Sequence, residues 1–147
     1  MVGASYAEGW GLYSERLADE LGLFEDARER LGMLDAQAWR AARLVVDTGI
    51  HALRWDRRRS VEFLRRVAGL SQLEAETETD RYITWPGQAL SYMTGQRVIQ
   101  SLRTDLEARD GVRFDLKAFH DAVLGHGSLP LATLQRELPG WVAPGAA

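Results

Sequence analysis

The groups in this 147-residue chain that could do chemistry are carboxylates, an imidazole and phenols, and they recur in three sets. Glu8 and Glu15 stand seven residues apart, close to two helical turns, so both carboxylates leave one helix face beside Trp10 and Tyr13. Such a pair can supply a metal-ligating carboxylate and a second one that orients it. It can equally be two solvated glutamates on an exposed stripe. Arg43, Asp47 and His51 follow at steps of four, which stacks them along one face. Asp47 could then accept from a ring nitrogen of His51, fixing its tautomer and raising its basicity, and pair with Arg43 as well. The plain alternative is an ion-paired surface row. The third set is the stretch Asp80-Arg81-Tyr82-Ile83-Thr84-Trp85-Pro86-Gly87-Gln88-Ala89-Leu90-Ser91-Tyr92. Two tyrosines, a tryptophan and a glutamine around a Pro-Gly break fit a cleft wall, where a phenol can donate to a developing oxyanion. They also fit core aromatics whose hydroxyls reach the surface.

Weaker signals surround these. His120 and His126 lie six residues apart, about 120° apart around a helix, so they do not converge as ligands. The arginines at 54, 57, 58, 59, 65 and 66 form a basic run that reads as a solvated face, offset by Glu62, Glu74, Glu76 and Glu78. There is no His-Glu-x-x-His segment, phosphate loop, dinucleotide fingerprint or Gly-x-Ser-x-Gly turn. The absence of cysteine excludes disulfides, thiolate zinc sites and thiol nucleophiles together.

The elements that must position these groups are helical almost throughout. Leu12, Leu17 and Leu21 set the first stripe, with Gly22 as its stop. A loop through Arg28 to Leu34 is expected, then a long helix capped by Asp35 and lined by Trp39, Ala42, Val46, Ile50 and Leu53. Asp56 and Gly69 bracket the next helix, and Ser71 with Glu74 forms a capping box for the one after. Pro86 either opens a new helix or kinks a continuous one that runs to about Arg109. Gly111 breaks it, Asp115 caps a short helix ending at Gly125, and Pro130 begins a last one before a fraying tail from Val142 to Ala147. No strand alternation or repeat is evident. The expected fold is all-α, an irregular bundle of six or seven helices forming one domain over residues 1–147, with its core from about 6 to 141.

Composition narrows the function. At 46% hydrophobic and 27% charged, the chain falls in the globular class, not the disordered one. A net charge of −3 supplies no uniform basic field for nucleic acid. No apolar run approaches the ~20 residues of a membrane span, and no signal peptide is evident, which makes the cytoplasm the default compartment.

Four ordered motifs carry a family resemblance. They are Glu8-Gly9-Trp10-Gly11-Leu12-Tyr13-Ser14-Glu15, Arg43 to His51, Arg81 to Tyr92, and a tail of Phe114-Asp115-Leu116, Phe119-His120-Asp121 and Gly127 to Leu131. Together, from about Tyr6 to Trp141, they resemble the C-terminal part of the bacterial domain-of-unknown-function 885 family, which is similar to gluzincin zinc metallopeptidases. The resemblance implies the C-terminal helical subdomain of such an enzyme. It makes Glu8 the third protein ligand to zinc, Glu15 its support and Tyr82 the oxyanion donor. His51, oriented by Asp47, would line the same cleft or act catalytically by donating to the same tetrahedral intermediate, with Arg81, Gln88 and Tyr92 as further cleft wall. Met93 stands where the family often has a basic residue. Because the histidine pair of that site is absent from this sequence, zinc and peptide substrate are expected only in a full-length parent, and the chain alone is expected to be inactive. The rival reading is a stand-alone helical module that binds a peptide or protein without catalysis. A truncated core further implies an uncovered apolar face along Trp10, Tyr13 and Leu17, for the N-terminal part of the fold or a second copy to cover.

Overall fold

A computed structural model describes residues 3–142. Seven α-helices make up the fold, and there is no strand among the described residues. They are α1 (Ala4–Glu20), α2 (Ala27–Leu53), α3 (Arg57–Ala68), α4 (Gln72–Thr84), α5 (Ser91–Asp110), α6 (Leu116–Gly125) and α7 (Leu131–Trp141). Short 3-10 turns at Gln88–Leu90 and Gly111–Arg113 flank α5.

Local chemistry sets most of the ends. The Asp56 carboxylate accepts from Arg59 N at 2.7 Å, and Asp115 accepts from Lys117 N and Ala118 N. Ser71 and Glu74 close the full reciprocal capping box on α4. Two boundaries differ from the sequence expectation. The long helix α2 starts at Ala27, eight residues before Asp35, because Asp26 accepts from Arg28 N at 2.7 Å and Glu29 N at 3.0 Å. Gly32 lies inside it; a mid-helix glycine costs about 1 kcal/mol relative to alanine, too little to stop a well-capped helix. Pro86 neither opens nor kinks a helix. It sits in the break after Trp85, and regular helix resumes only at Ser91.

Packing divides into two small cores. Tyr6, Tyr13, Ile99, Leu102, Leu106, Phe119, Val123, Leu134, Leu138 and Val142 join α1, α5, α6 and α7. Ala42, Val46, Val61, Leu64, Ala75, Tyr82 and Ala89 join α2, α3, α4 and the first 3-10 turn. The helices α1 and α5 cross closely at Gly9 and Gly95. A methyl group on Gly95 would collide with the Ser5 carbonyl oxygen and the Gly9 backbone. The expected open face along α1 is absent: Tyr13 is buried, and Trp10 and Leu17 pack against the first core, because α5 and α6 cover them. Val142 does not fray either. It is buried, and its carbonyl accepts from Arg109 at 2.8 Å. The remainder of that expected tail, 143–147, lies outside the described residues.

Candidate functional site

Between the two cores lies a polar seam. Where α1, α2 and α5 meet, the Leu12 carbonyl accepts from Gln37 Nε2 at 3.1 Å and Gln96 Nε2 at 3.4 Å. The Asp19–Arg30 ion pair at 3.0 Å, nearer the connecting turn, shows that α1 and α2 run antiparallel. Carried one turn the other way from Leu12 and Gln37, that register sets Glu8 level with Arg40 and Ala41. On α5, the backbone of Gly95 meets that of Gly9, which sets Glu8 at the close crossing of α1 and α5.

Arg43 is the centre of the seam. Only 5% exposed, it stands over the rings of Trp39 at 4.5 Å and Tyr92 at 4.6 Å. Among the described residues its one ion pair is with Glu78 at 3.5 Å, and its Nε has no partner. Glu78 is shared. It also accepts from Arg81 at 2.8 Å and from the Tyr82 hydroxyl at 2.7 Å. Arg81 in turn donates to Gln88 Oε1 at 2.7 Å, and Gln88 reaches the Tyr92 hydroxyl at 3.5 Å. Two guanidinium cations thus face one carboxylate. Burial works against ionised Glu78, yet the hydrogen bonds from Arg81 and Tyr82 and the two arginine charges hold its carboxyl below the usual range. Burial, then the bond to Glu78, pushes the Tyr82 phenol up to about 12.

The predicted groups are distributed unevenly over this network. Arg81, Tyr82, Gln88 and Tyr92 belong to it. Tyr82 is 1% exposed with its proton committed to Glu78, so it presents no free hydroxyl to a ligand. The expected Asp47–His51 bond does not form. Asp47 is buried, and its carboxylate accepts the Gly87 amide at 3.1 and 3.2 Å, anchoring the turn after α4. His51 is exposed at the end of α2, and its Nε2 lies 2.9 Å from the Tyr82 backbone carbonyl. Nor does Arg43 pair with Asp47, since Glu78 takes it. Steps of four do put the three on one face, but the neighbours packed on that face outcompete the intrahelical pairs.

On α1, Glu8 is half-buried and makes no hydrogen bond or ion pair among the described residues. Glu15 is half-buried with Oε2 fully enclosed and unpartnered. His120 packs against Trp10 with Nε2 at 2.9 Å from the Tyr13 hydroxyl, and His126 stacks on Trp141 at 3.8 Å. Among the described residues, no three His, Cys, Asp or Glu side chains lie close enough to hold a metal ion. The residues present therefore do not fit a zinc site by themselves. The sequence reading missed Trp39 and Glu78 as members of the cluster. Their signal was available: Glu78 precedes Tyr82 by four and Trp39 precedes Arg43 by four.

The fold is an all-α helical bundle with a buried arginine–aromatic cluster at the seam between its cores. The chain belongs to the DUF885 family, bacterial proteins of unknown function, whose family model matches residues 1–138. No curated protein matches it. The solved structures it resembles include two, each of a protein described as a "putative lipoprotein". One, from Colwellia psychrerythraea, is 45% identical with a TM-score of 0.91 over 95% of this chain and 24% of its own. The other, from Shewanella oneidensis and of unknown function, is 27% identical with a TM-score of 0.85, over 92% of this chain and 25% of its own. The chain thus spans about a quarter of each. These similarities overturn the cytoplasmic default, since lipoproteins are held at a membrane by acyl chains. Among the described residues no helix is long and apolar enough to cross a membrane.

Proposed function

We propose that this chain is a non-catalytic helical binding module of a larger, membrane-tethered DUF885 protein, and that it holds a peptide segment at the seam around Arg43. One observation carries the reading. Arg43 is a buried cation between two aromatic faces, with an unpartnered Nε and one long contact to a carboxylate that already serves Arg81 and Tyr82. A desolvated guanidinium short of acceptors favours an incoming carbonyl or carboxylate oxygen. Tyr92 and Arg81, both partly exposed, form the accessible edge of the cluster. The test is calorimetry with tetra-alanine, alongside chromatography of the peptide incubated with the chain and added zinc. Saturable binding without hydrolysis is expected, and Tyr92→Ala should weaken it at least tenfold. Hydrolysis by this chain, or heats unchanged by Tyr92→Ala, would overturn the reading.

A second reading has its own observation. The enclosed, unpartnered Oε2 of Glu15 shares a helix face with Glu8. A carboxylate buried without a donor is expensive, unless a donor comes from outside this chain. That arrangement supports Glu8 as one zinc ligand, with Glu15 behind it, in a longer gluzincin-like peptidase. Metal analysis of the longer protein tests it: zinc should be stoichiometric in the parent and lost in Glu8→Ala. A parent free of zinc would remove this reading and leave the binding module untouched.

A further inference from the structure

The arginine run read as a solvated face is not offset in the way its sequence implies. Of its six cations, Arg57 pairs with Asp80 and Arg58 with Glu62. Arg54, Arg59, Arg65 and Arg66 form no ion pair among the described residues, and all four are exposed. Of the acidic residues expected to neutralise them, Glu74 is taken by the α4 cap and Glu78 by Arg43 and Arg81, while Glu76 lies on the α4 side of α3 beside Arg57, Arg58 and Arg65, away from Arg59 and Arg66. Two of the free arginines, Arg59 and Arg66, fall about 20° apart on the outer side of α3, opposite buried Ser60, Val61 and Leu64, while Arg65 lies on the α4 side in a groove with Glu62 and Glu76.

Apolar surface lies directly beside these cations. Between α2 and α3 a groove of about 490 Å³ is lined by Val45, Trp55, Phe63, Arg59, Arg66 and Glu62. Val45 and Val67 are exposed, and Leu53, at the corner before α3, is 64% exposed. The corner itself is built to hold Trp55 there. Arg54 takes a left-handed conformation at φ 55°, uncommon for a residue with a side chain, and the Trp55 amide donates to the Gly49 carbonyl at 2.9 Å. The Trp55 ring then lies on Gly49 where a methyl group would collide with it, against Phe63 and beneath the Arg59 guanidinium at 4.1 Å.

From this combination we infer that the outer face of α3, with the Leu53–Trp55 corner, docks onto an anionic phospholipid surface. Guanidinium groups match phosphodiester oxygens in geometry and charge, while an indole and exposed aliphatic side chains suit the headgroup–acyl boundary. An acidic protein partner would use the cations but leave Leu53, Val45 and Val67 unexplained. The inference extends the membrane-tethered reading given above, by stating which side of the bundle faces the bilayer.

Vesicle flotation of the unacylated chain tests it, comparing phosphatidylcholine alone with phosphatidylcholine containing about one-third phosphatidylglycerol. Binding to the anionic vesicles only is expected, falling away as salt rises from roughly 0.05 to 0.5 M. Arg59→Gln with Arg66→Gln should lower the bound fraction at least tenfold. Arg28→Gln with Arg136→Gln, which alters net charge equally at distant exposed sites, should leave it near the parent value. Circular dichroism checks that both pairs remain folded. No binding to anionic vesicles, equal losses in the two double variants, or tighter binding to poly-glutamate than to vesicles would each overturn the inference. The tether itself is judged separately, by palmitate labelling of the longer protein, so the two can fail independently.

Discussion

The Tyr82 hydroxyl donates to Glu78 at 2.7 Å from one turn further along the same helix, and the carboxylate it reaches is also the acceptor for Arg43 and Arg81. That single contact removes Tyr82 from the set of groups free to meet a ligand. It also makes Glu78 the residue on which the buried cluster depends, because among the described residues no second carboxylate pairs with either guanidinium group. Truncating one member of a fully buried ion pair costs about 3–5 kcal/mol. Glu78 keeps some contact with water, so Glu78→Ala should cost about 2–3 kcal/mol, read as a lower urea midpoint with unchanged slope.

The same carboxylate sets the acid side of the stability profile. Its folded-state affinity for protons is below the ordinary value. A depressed carboxyl contributes stability above its unfolded pKa, which is lost as pH falls through the folded value. Thermal melts of the parent should therefore lose stability below about pH 4.5, and Glu78→Gln should show a flatter acid limb. An identical limb in the variant would place the acid sensitivity on other carboxylates.

On the alkaline side the phenol of Tyr82 is held near 12, so the stability it contributes is complete below pH 10 and lost between about 10 and 12. Absorbance titration at 295 nm should show a late-ionising component that disappears in Tyr82→Phe. Tyr6 and Tyr13, also raised by burial, will remain in the variant.

The close crossing of α1 on α5 gives a steric prediction. Gly95 meets backbone atoms of Ser5 and Gly9, which cannot rotate aside as a side chain would. Gly95→Ala gains helix propensity worth about 1 kcal/mol but forces the two helices apart, an overpacking cost of about 1–3 kcal/mol or more. A net loss of about 1–2 kcal/mol is expected from chemical denaturation, whereas Gly11→Ala, with open space around it, should stabilise the chain slightly.

What was legible in the sequence was local. The caps at Asp56, Ser71 and Asp115 and the glycine stops at Gly22, Gly69 and Gly111 could be read because each depends on residues within one turn. Asp26 was missed because the stretch from Arg28 to Leu34 reads as a loop and Asp35 offers a cap of its own. The site was harder for a different reason. Glu76 and Glu78 look alike along the chain, and only the rotation of α4 sends the second into the seam. The pairing of Asp47 with an amide forty residues away has no local signal at all. Intrahelical spacing pointed to His51 and Arg43, and tertiary packing gave each a different partner.

Glu15 tests whether α1 carries a functional cost. Its enclosed Oε2 lacks any donor among the described residues, a penalty of about 1–3 kcal/mol that a stability optimum would not keep. Glu15→Met should therefore raise the midpoint of the isolated chain by about 1 kcal/mol. A drop instead would show that the carboxylate finds a solvent-mediated partner in this chain.

Asp47 supplies the last and most local expectation about the seam. Its carboxylate is buried, and both oxygens accept the Gly87 amide, which fixes a left-handed glycine at φ 79° at the start of the turn bearing Gln88. Gln88 then accepts from Arg81 and reaches Tyr92, so the position of the cluster's accessible edge depends on a residue that touches no ligand. Asp47→Ala leaves the Gly87 amide without its buried acceptor, a loss of about 1–3 kcal/mol. Asp47→Asn keeps an acceptor oxygen and should recover most of that stability. Binding of tetra-alanine should follow the same order, with the alanine variant weakened and the asparagine variant near the parent. If the alanine variant binds as tightly as the parent once its folding is corrected for, the turn does not position the edge, and Tyr92 and Arg81 must be held by the helices alone.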